Sequence, residues 1–218
     1  MNRTIIFDLD GTLLDTLEDI AISANFALTS LGFKQEPKDA YRYYVGEGVF
    51  KLFENIFAND PQSEETIQKA VALFEEHYAK QFYQNTKLYD GISKMLTFLQ
   101  KRGFKMAILS NKPDSFTKMC ALKYLRAWHF DVVFGARKEV PRKPDPTSAL
   151  EIAQLLHVKV EECFYLGDTM IDMQTANRAG AIALGALWGF RDAEELQKHG
   201  AKYLLNSPSE VIKLLAEV

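Results

Sequence analysis

The chain has 218 residues, 47% of them hydrophobic and 25% charged, with 26 basic against 29 acidic side chains and a net charge of −3. That length holds one large domain or two small ones, and the basic residues are scattered, without the stripe that marks a nucleic-acid binder. The longest apolar run, Ala179 to Phe190, falls short of the roughly 18 residues of a membrane span, so neither nucleic acid nor membrane is an expected partner.

Thr4–Leu9 reads as a buried strand that ends in two acids, Asp8 and Asp10, alternating around Leu9. Alternation sends both carboxylates to one side, at the strand end where open α/β sheets place their sites. Two crowded acids repel each other unless a cation lies between them or one keeps its proton. Two solvated acids closing a strand are the plain structural alternative. Gly11 lets the chain turn away. The same acids interrupt the only apolar N-terminal run, so no signal peptide is expected. Helical patterns follow over about Leu17–Leu31, Lys38–Tyr44, Val49–Phe57 and Glu64–Tyr83, with no strand among them.

After Tyr89-Asp90-Gly91 the pattern becomes helix and strand in alternation. A helix over about Ile92–Arg102 stops at Gly103. Strands are predicted at Lys105–Leu109, Asp131–Phe134, Glu162–Leu166, Ile182–Leu184 and Tyr203–Leu205, and a last helix from Ser207. Strands separated by helices imply a parallel sheet with right-handed crossovers. The expected organisation is an α/β, Rossmann-like core of residues 1–14 and 87–218, with residues 15–86 as an inserted all-α cap after the first strand. Cys120 and Cys163 read as buried free thiols, which suits a reducing cytoplasm. The four histidines show no metal-ligand spacing, so zinc is not expected.

Three more polar clusters fall at strand ends. Ser110-Asn111-Lys112-Pro113 offers a hydroxyl and backbone amides that can hold phosphate oxygens, although capping of the next helix is the commoner use of Ser or Asn. Arg142-Lys143-Pro144-Asp145-Pro146 fixes a lysine between prolines, able to neutralise a phosphate or an aspartate. Gly167-Asp168-Thr169-Met170-Ile171-Asp172 sets two acids one helical turn apart, where they also suit the helix dipole. Each cluster has an ordinary structural reading alone, but four such clusters at four strand ends point to one site.

These motifs resemble the haloacid dehalogenase-like hydrolases: Asp8-Leu9-Asp10-Gly11-Thr12, Leu109-Ser110-Asn111, Lys143 in its proline-rich loop, and Gly167-Asp168-Thr169-Met170-Ile171-Asp172. Leu13-Leu14-Asp15-Thr16, Val45-Gly46-Glu47-Gly48 and Trp188-Gly189-Phe190 point further to the phosphoglycolate phosphatase-like branch. The resemblance implies Asp8 as nucleophile, forming an aspartyl-phosphate, and Asp10 as acid for the leaving alkoxide and then base for water. Mg²⁺ is expected on Asp8, the Asp10 carbonyl and Asp168, with Asp172 orienting a bound water or pairing with Lys143. Ser110, Lys143 and backbone amides near Leu9 and Asn111 are expected to hold the phosphoryl group.

In the cap, Gly46 and Gly48 either present amides to a substrate carboxylate or permit a tight turn, while Arg42 and Lys51 are candidate carboxylate contacts. Tyr41, Tyr43 and Tyr44 are read as packing between cap and core. The implied activity is Mg²⁺-dependent hydrolysis of a small phosphorylated metabolite, 2-phosphoglycolate first, by a cytoplasmic monomer or homodimer. Pyrophosphatase, nucleotidase and sugar phosphatase activities are alternatives within the family, and so is a β-phosphoglucomutase-like phosphotransfer, which Thr12 disfavours. Asp10 argues against dehalogenation. A non-catalytic phospho-accepting or phosphate-binding protein is the alternative from another class.

Overall fold

The computed structural model describes residues 3–217. They divide into two compact units, Asp15–Lys87 on one side and the segments up to Leu14 and from Leu88 onward on the other.

The larger unit is built on a six-stranded parallel sheet: β1 (Thr4–Phe7), β4 (Lys105–Pro113), β5 (Val132–Ala136), β6 (Cys163–Gly167), β7 (Ile182–Ala186) and β8 (Tyr203–Leu205). Their order in space is β5-β4-β1-β6-β7-β8. The chain therefore builds outward from β1 in one direction and then returns to β1's other side. Open sheets form a crevice at such a reversal, beyond the carboxyl ends of the strands. The intervening helices are α5 (Ile92–Lys101), α6 (Asp114–Tyr124), α7 (Thr147–Leu155), α8 (Met170–Ala179), α9 (Ala193–Lys198) and α10 (Pro208–Ala216).

Strand β1 is a continuous apolar run because both of its faces are covered. Ile6 joins Ala107, Tyr165, Ile152 and Met173 in one core layer. Ile5 and Phe7 alternate to the opposite face and are fully buried as well. Each such side chain contributes about 1.5–3 kcal/mol relative to exposure, so the strand that presents Asp8 is anchored on both sides.

The smaller unit holds α1 (Leu17–Ser30), α2 (Tyr41–Tyr44), α3 (Val49–Ile56) and α4 (Glu64–Gln81). Its interior is aromatic: Phe53, Phe74 and Tyr78 are buried, with ring centroids 6.2 Å apart for Phe53–Phe74 and 5.4 Å for Phe74–Tyr78. Buried Asp19 of α1 closes the unit on itself. Its carboxylate accepts from the Asn85 and Thr86 backbone amides at 3.0 and 2.8 Å, and from the Thr86 hydroxyl at 2.7 Å.

Several boundaries differ from the sequence reading. Strand β1 ends at Phe7, not Leu9, because Thr12, Leu13 and Leu14 all turn back onto the Leu9 carbonyl. Strand β4 runs on to Pro113 through a register irregularity after Leu109, so Ser110 lies within a strand. Two short strands went unread, β2 (Leu14–Asp15) and β3 (Lys87–Leu88), which pair where the chain leaves and rejoins the core. They are too short to carry an alternation signal. Tyr41 has its partners within the helical unit. It is fully buried inside the helical unit, its hydroxyl 2.8 Å from Asn25 Oδ1 and its ring 5.6 Å from Tyr44. Tyr43 is exposed.

Candidate active site

The ends of β1, β4 and β6, and the loop after β5, bring the predicted core residues together. Lys143 is the hub. Its ammonium donates to Asp8 Oδ1 at 2.9 Å and to Asp172 Oδ1 at 2.7 Å, with its side chain 3% exposed. Its backbone is clamped by Asn111, whose side-chain amide donates to the Lys143 carbonyl and accepts from the Lys143 N–H, both at 2.9 Å. The Asn111 side chain is thus committed to placing Lys143.

Asp172 serves both readings of its motif. One carboxylate oxygen takes Lys143, while the other accepts from Thr169 N at 3.1 Å and Thr169 Oγ1 at 2.8 Å, capping α8. Asp168 is fully buried and held by Thr12 Oγ1 at 2.8 Å and the Phe190 N–H at 2.8 Å. Glycines make room for it. Gly11 takes φ +88°, and a Cβ there would fall on the Asp168 carboxylate; a Cβ on Gly189 would fall 2.5 Å from both Asp168 Oδ2 and the Gly11 carbonyl. The second glycine follows Trp188, whose indole N–H donates to the Thr12 carbonyl at 2.9 Å.

Asp8, Asp168 and Asp172 each place a carboxylate oxygen within 4.8 Å of the others. Burial pushes the Asp8 carboxyl up to about 7, with Lys143 opposing and the charges of Asp172 and Asp10 adding to the rise. Burial likewise drives Asp168 well above the carboxylate range, reinforced by Asp172 and Asp8. Burial alone would pull Lys143 down, but Asp172 and Asp8 outweigh it and hold the ammonium charged. One lysine therefore does not balance three buried acids. A divalent cation would, and an all-oxygen donor set suits a hard ion such as Mg²⁺.

Asp10 stands apart from this cluster. Its carboxylate receives the Lys112 ammonium at 3.1 and 3.0 Å on its two oxygens, while its charge is still felt at Asp8. Lys112 carries no assigned role by sequence, although it lies only two residues beyond Ser110 on the same strand. Ser110 does not cap α6. Its hydroxyl accepts from the Lys112 N–H at 3.3 Å, and α6 begins four residues later at Asp114. The Leu9 side chain is in the core, so only its backbone can meet a ligand.

The four cap candidates lie in the helical unit. Gly46 and Gly48 have φ of 131° and 93°, and Gly48 directly precedes α3, so the glycines are required by the turn itself. Lys51 is ion-paired with Glu54 at 3.1 Å, one turn along α3. Arg42 sits on the short helix α2. Both cysteines are free and buried. Among the described residues no helix is long and apolar enough to cross a membrane.

A family model of the haloacid dehalogenase-like hydrolases matches residues 5–186. A phosphoglycolate phosphatase of Aquifex aeolicus is 33% identical over 98% of this chain and 96% of its own length. One from Nitrosospira multiformis is 30% identical over 98% and 95%. A crystal structure from Lactobacillus delbrueckii subsp. bulgaricus, provisionally named a phosphoglycolate phosphatase, superimposes with a TM-score of 0.90 at 26% identity over 99% of each chain. With its parallel sheet and its acids gathered around one lysine, the chain belongs to the haloacid dehalogenase-like hydrolases, in the branch that resembles phosphoglycolate phosphatases.

Proposed function

We propose that this hydrolase is a Mg²⁺-dependent phosphatase that cleaves 2-phosphoglycolate through an aspartyl-phosphate on Asp8. The observation that carries the reading is the Lys143 ammonium held at once by Asp8 and Asp172, beside a second buried acid–lysine pair at Asp10. The first assembly sets the Asp8 carboxylate beside a fixed positive charge, which supports reading it as the nucleophile. The second involves an acid two residues along the chain, which supports reading Asp10 as the proton-transfer group.

An oxygen of Asp8 attacks phosphorus, and the bond from phosphorus to the ester oxygen breaks. Asp10 enters this step protonated and passes that proton to the departing alkoxide. Asp10 then takes a proton from water as the water oxygen attacks phosphorus, and the bond between phosphorus and Asp8 breaks to release phosphate. Lys143 balances charge on the phosphoryl oxygens, and Ser110 with the amides of Leu9 and Asn111 donates to them. Asp8, Asp168 and the Asp10 carbonyl would hold Mg²⁺, which when bound neutralises phosphoryl charge. Asp172 fixes the Lys143 ammonium in place.

The substrate assignment is supported by relatives that match nearly the full chain and carry the phosphoglycolate phosphatase name. Phosphate release from 2-phosphoglycolate, sugar phosphates, nucleotides and pyrophosphate, each with and without Mg²⁺, tests it. The expected result is a Mg²⁺-dependent kcat/KM highest for 2-phosphoglycolate and turnover lost in a folded Asp8→Asn variant. Equal rates across the panel would remove the substrate assignment, and an active Asp8→Asn protein would remove the nucleophile.

A further inference from the structure

The ammonium of Lys112 is a buried charge that none of the steps above uses. It meets both oxygens of Asp10 at 3.1 and 3.0 Å, and the two side chains are only 5% and 10% exposed. A buried lysine–aspartate pair is a poor source of stability, because desolvation cancels most of the Coulombic gain. Its position matters more than its strength.

We propose that Lys112 is a specificity-determining residue whose ammonium receives a carboxylate on the leaving alcohol, selecting phosphate esters of 2-hydroxy acids. The inference rests on the phosphatase reading, since it takes Asp10 as the group that protonates the leaving oxygen. That transfer needs the leaving oxygen at about 2.6–3.2 Å from Asp10. The Lys112 Nζ lies 3.0 Å from the same carboxylate, so it stands within about 6 Å of the leaving oxygen.

In a 2-hydroxy acid the carboxylate sits on the carbon that bears this oxygen, and its own oxygens reach roughly 3 Å further, judged from ordinary bond lengths. A carboxylate directed toward the ammonium therefore comes into contact range. An ester with a hydroxymethyl group in that place presents no charge to the same cation. Recognition would then reside on the core strand that also carries Ser110.

The test compares 2-phosphoglycolate with 2-hydroxyethyl phosphate, using the full chain with Mg²⁺. The wild type is expected to favour the carboxylate ester by about 10- to 100-fold in kcat/KM, the range for one charge-assisted contact. Lys112→Met should erase most of that preference, chiefly through KM for 2-phosphoglycolate, and Lys112→Arg should retain most of it. Lys112→Gln serves the same comparison if the methionine variant does not fold.

A preference that survives Lys112→Met or Lys112→Gln, with both esters slowed equally, would show that Lys112 only positions Asp10 and would overturn the inference alone. Loss of the preference in Lys112→Arg as complete as in Lys112→Met would overturn it too. A wild type without any preference would remove the 2-phosphoglycolate assignment along with it. Hydrolysis of neither ester would instead count against the phosphatase reading itself.

Discussion

Without metal, the protein should become less stable as pH rises through neutrality. Asp8 has an ordinary carboxyl value of 3.8 in the unfolded chain, but burial in the folded protein lifts it to about 7. Between those values the folded state binds more protons than the unfolded one, so stability is full below the lower value and is lost as pH climbs through the upper. The difference corresponds to about 4 kcal/mol once Asp8 is ionised in both states. Asp168, also held high by burial, acts in the same direction. The carboxylates that ion pairs hold low, such as Glu151 beside Arg137, complete their opposite contribution by about pH 5. Lys143, held high, contributes stability that is lost only above its ordinary value of 10.5.

Urea unfolding in EDTA at steps between about pH 5 and about pH 8 therefore isolates the acid cluster. The midpoint is expected to fall across this range, Mg²⁺ to flatten the fall by binding the ionised folded form, and Asp8→Asn to flatten it without metal. A metal-free midpoint that stays level or rises over the same range would refute the argument from buried, uncompensated charge.

Lys143→Met should cost about 3–5 kcal/mol of stability, because it strands Asp8 and Asp172 as buried acids without their shared cation. Phosphate release should fall by at least about 10²-fold, and a variant with the wild-type rate would contradict the role of the ammonium. Asp19→Ala leaves the buried amide of Thr86 and its neighbours without an acceptor and should lower stability by about 2–4 kcal/mol; unchanged urea unfolding would sink that reading. Gly189→Ala puts a methyl against Asp168 and the Gly11 carbonyl, a crowding of about 1–3 kcal/mol. Calorimetric titration with Mg²⁺ should show weaker binding, and wild-type affinity would mean that Asp168 is free to give way.

The strands were legible because burial on both faces writes an unbroken apolar run, as in Ile5-Ile6-Phe7 and Cys163-Phe164-Tyr165-Leu166. The acids were legible because Asp8, Asp10, Asp168 and Asp172 stand at or just beyond the ends of those runs, where apolar packing stops. The helical insertion was legible from the long gap between strands. Strand pairs of two residues left no pattern, so the β2–β3 ribbon was invisible.

Tertiary structure alone decided the partners. Asn111 reads as a phosphate ligand or, more commonly for its type, as a helix cap, yet its side chain is committed to the Lys143 backbone 32 residues away. Lys112 carries no assigned role by sequence, yet it is buried against Asp10 across 102 residues of chain. Local sequence carries periodicity, charge and turn chemistry, because these act between neighbours along the chain. Which acid faces which lysine depends on how far each strand projects beyond the sheet, and that is fixed only when β1, β4 and β6 lie side by side.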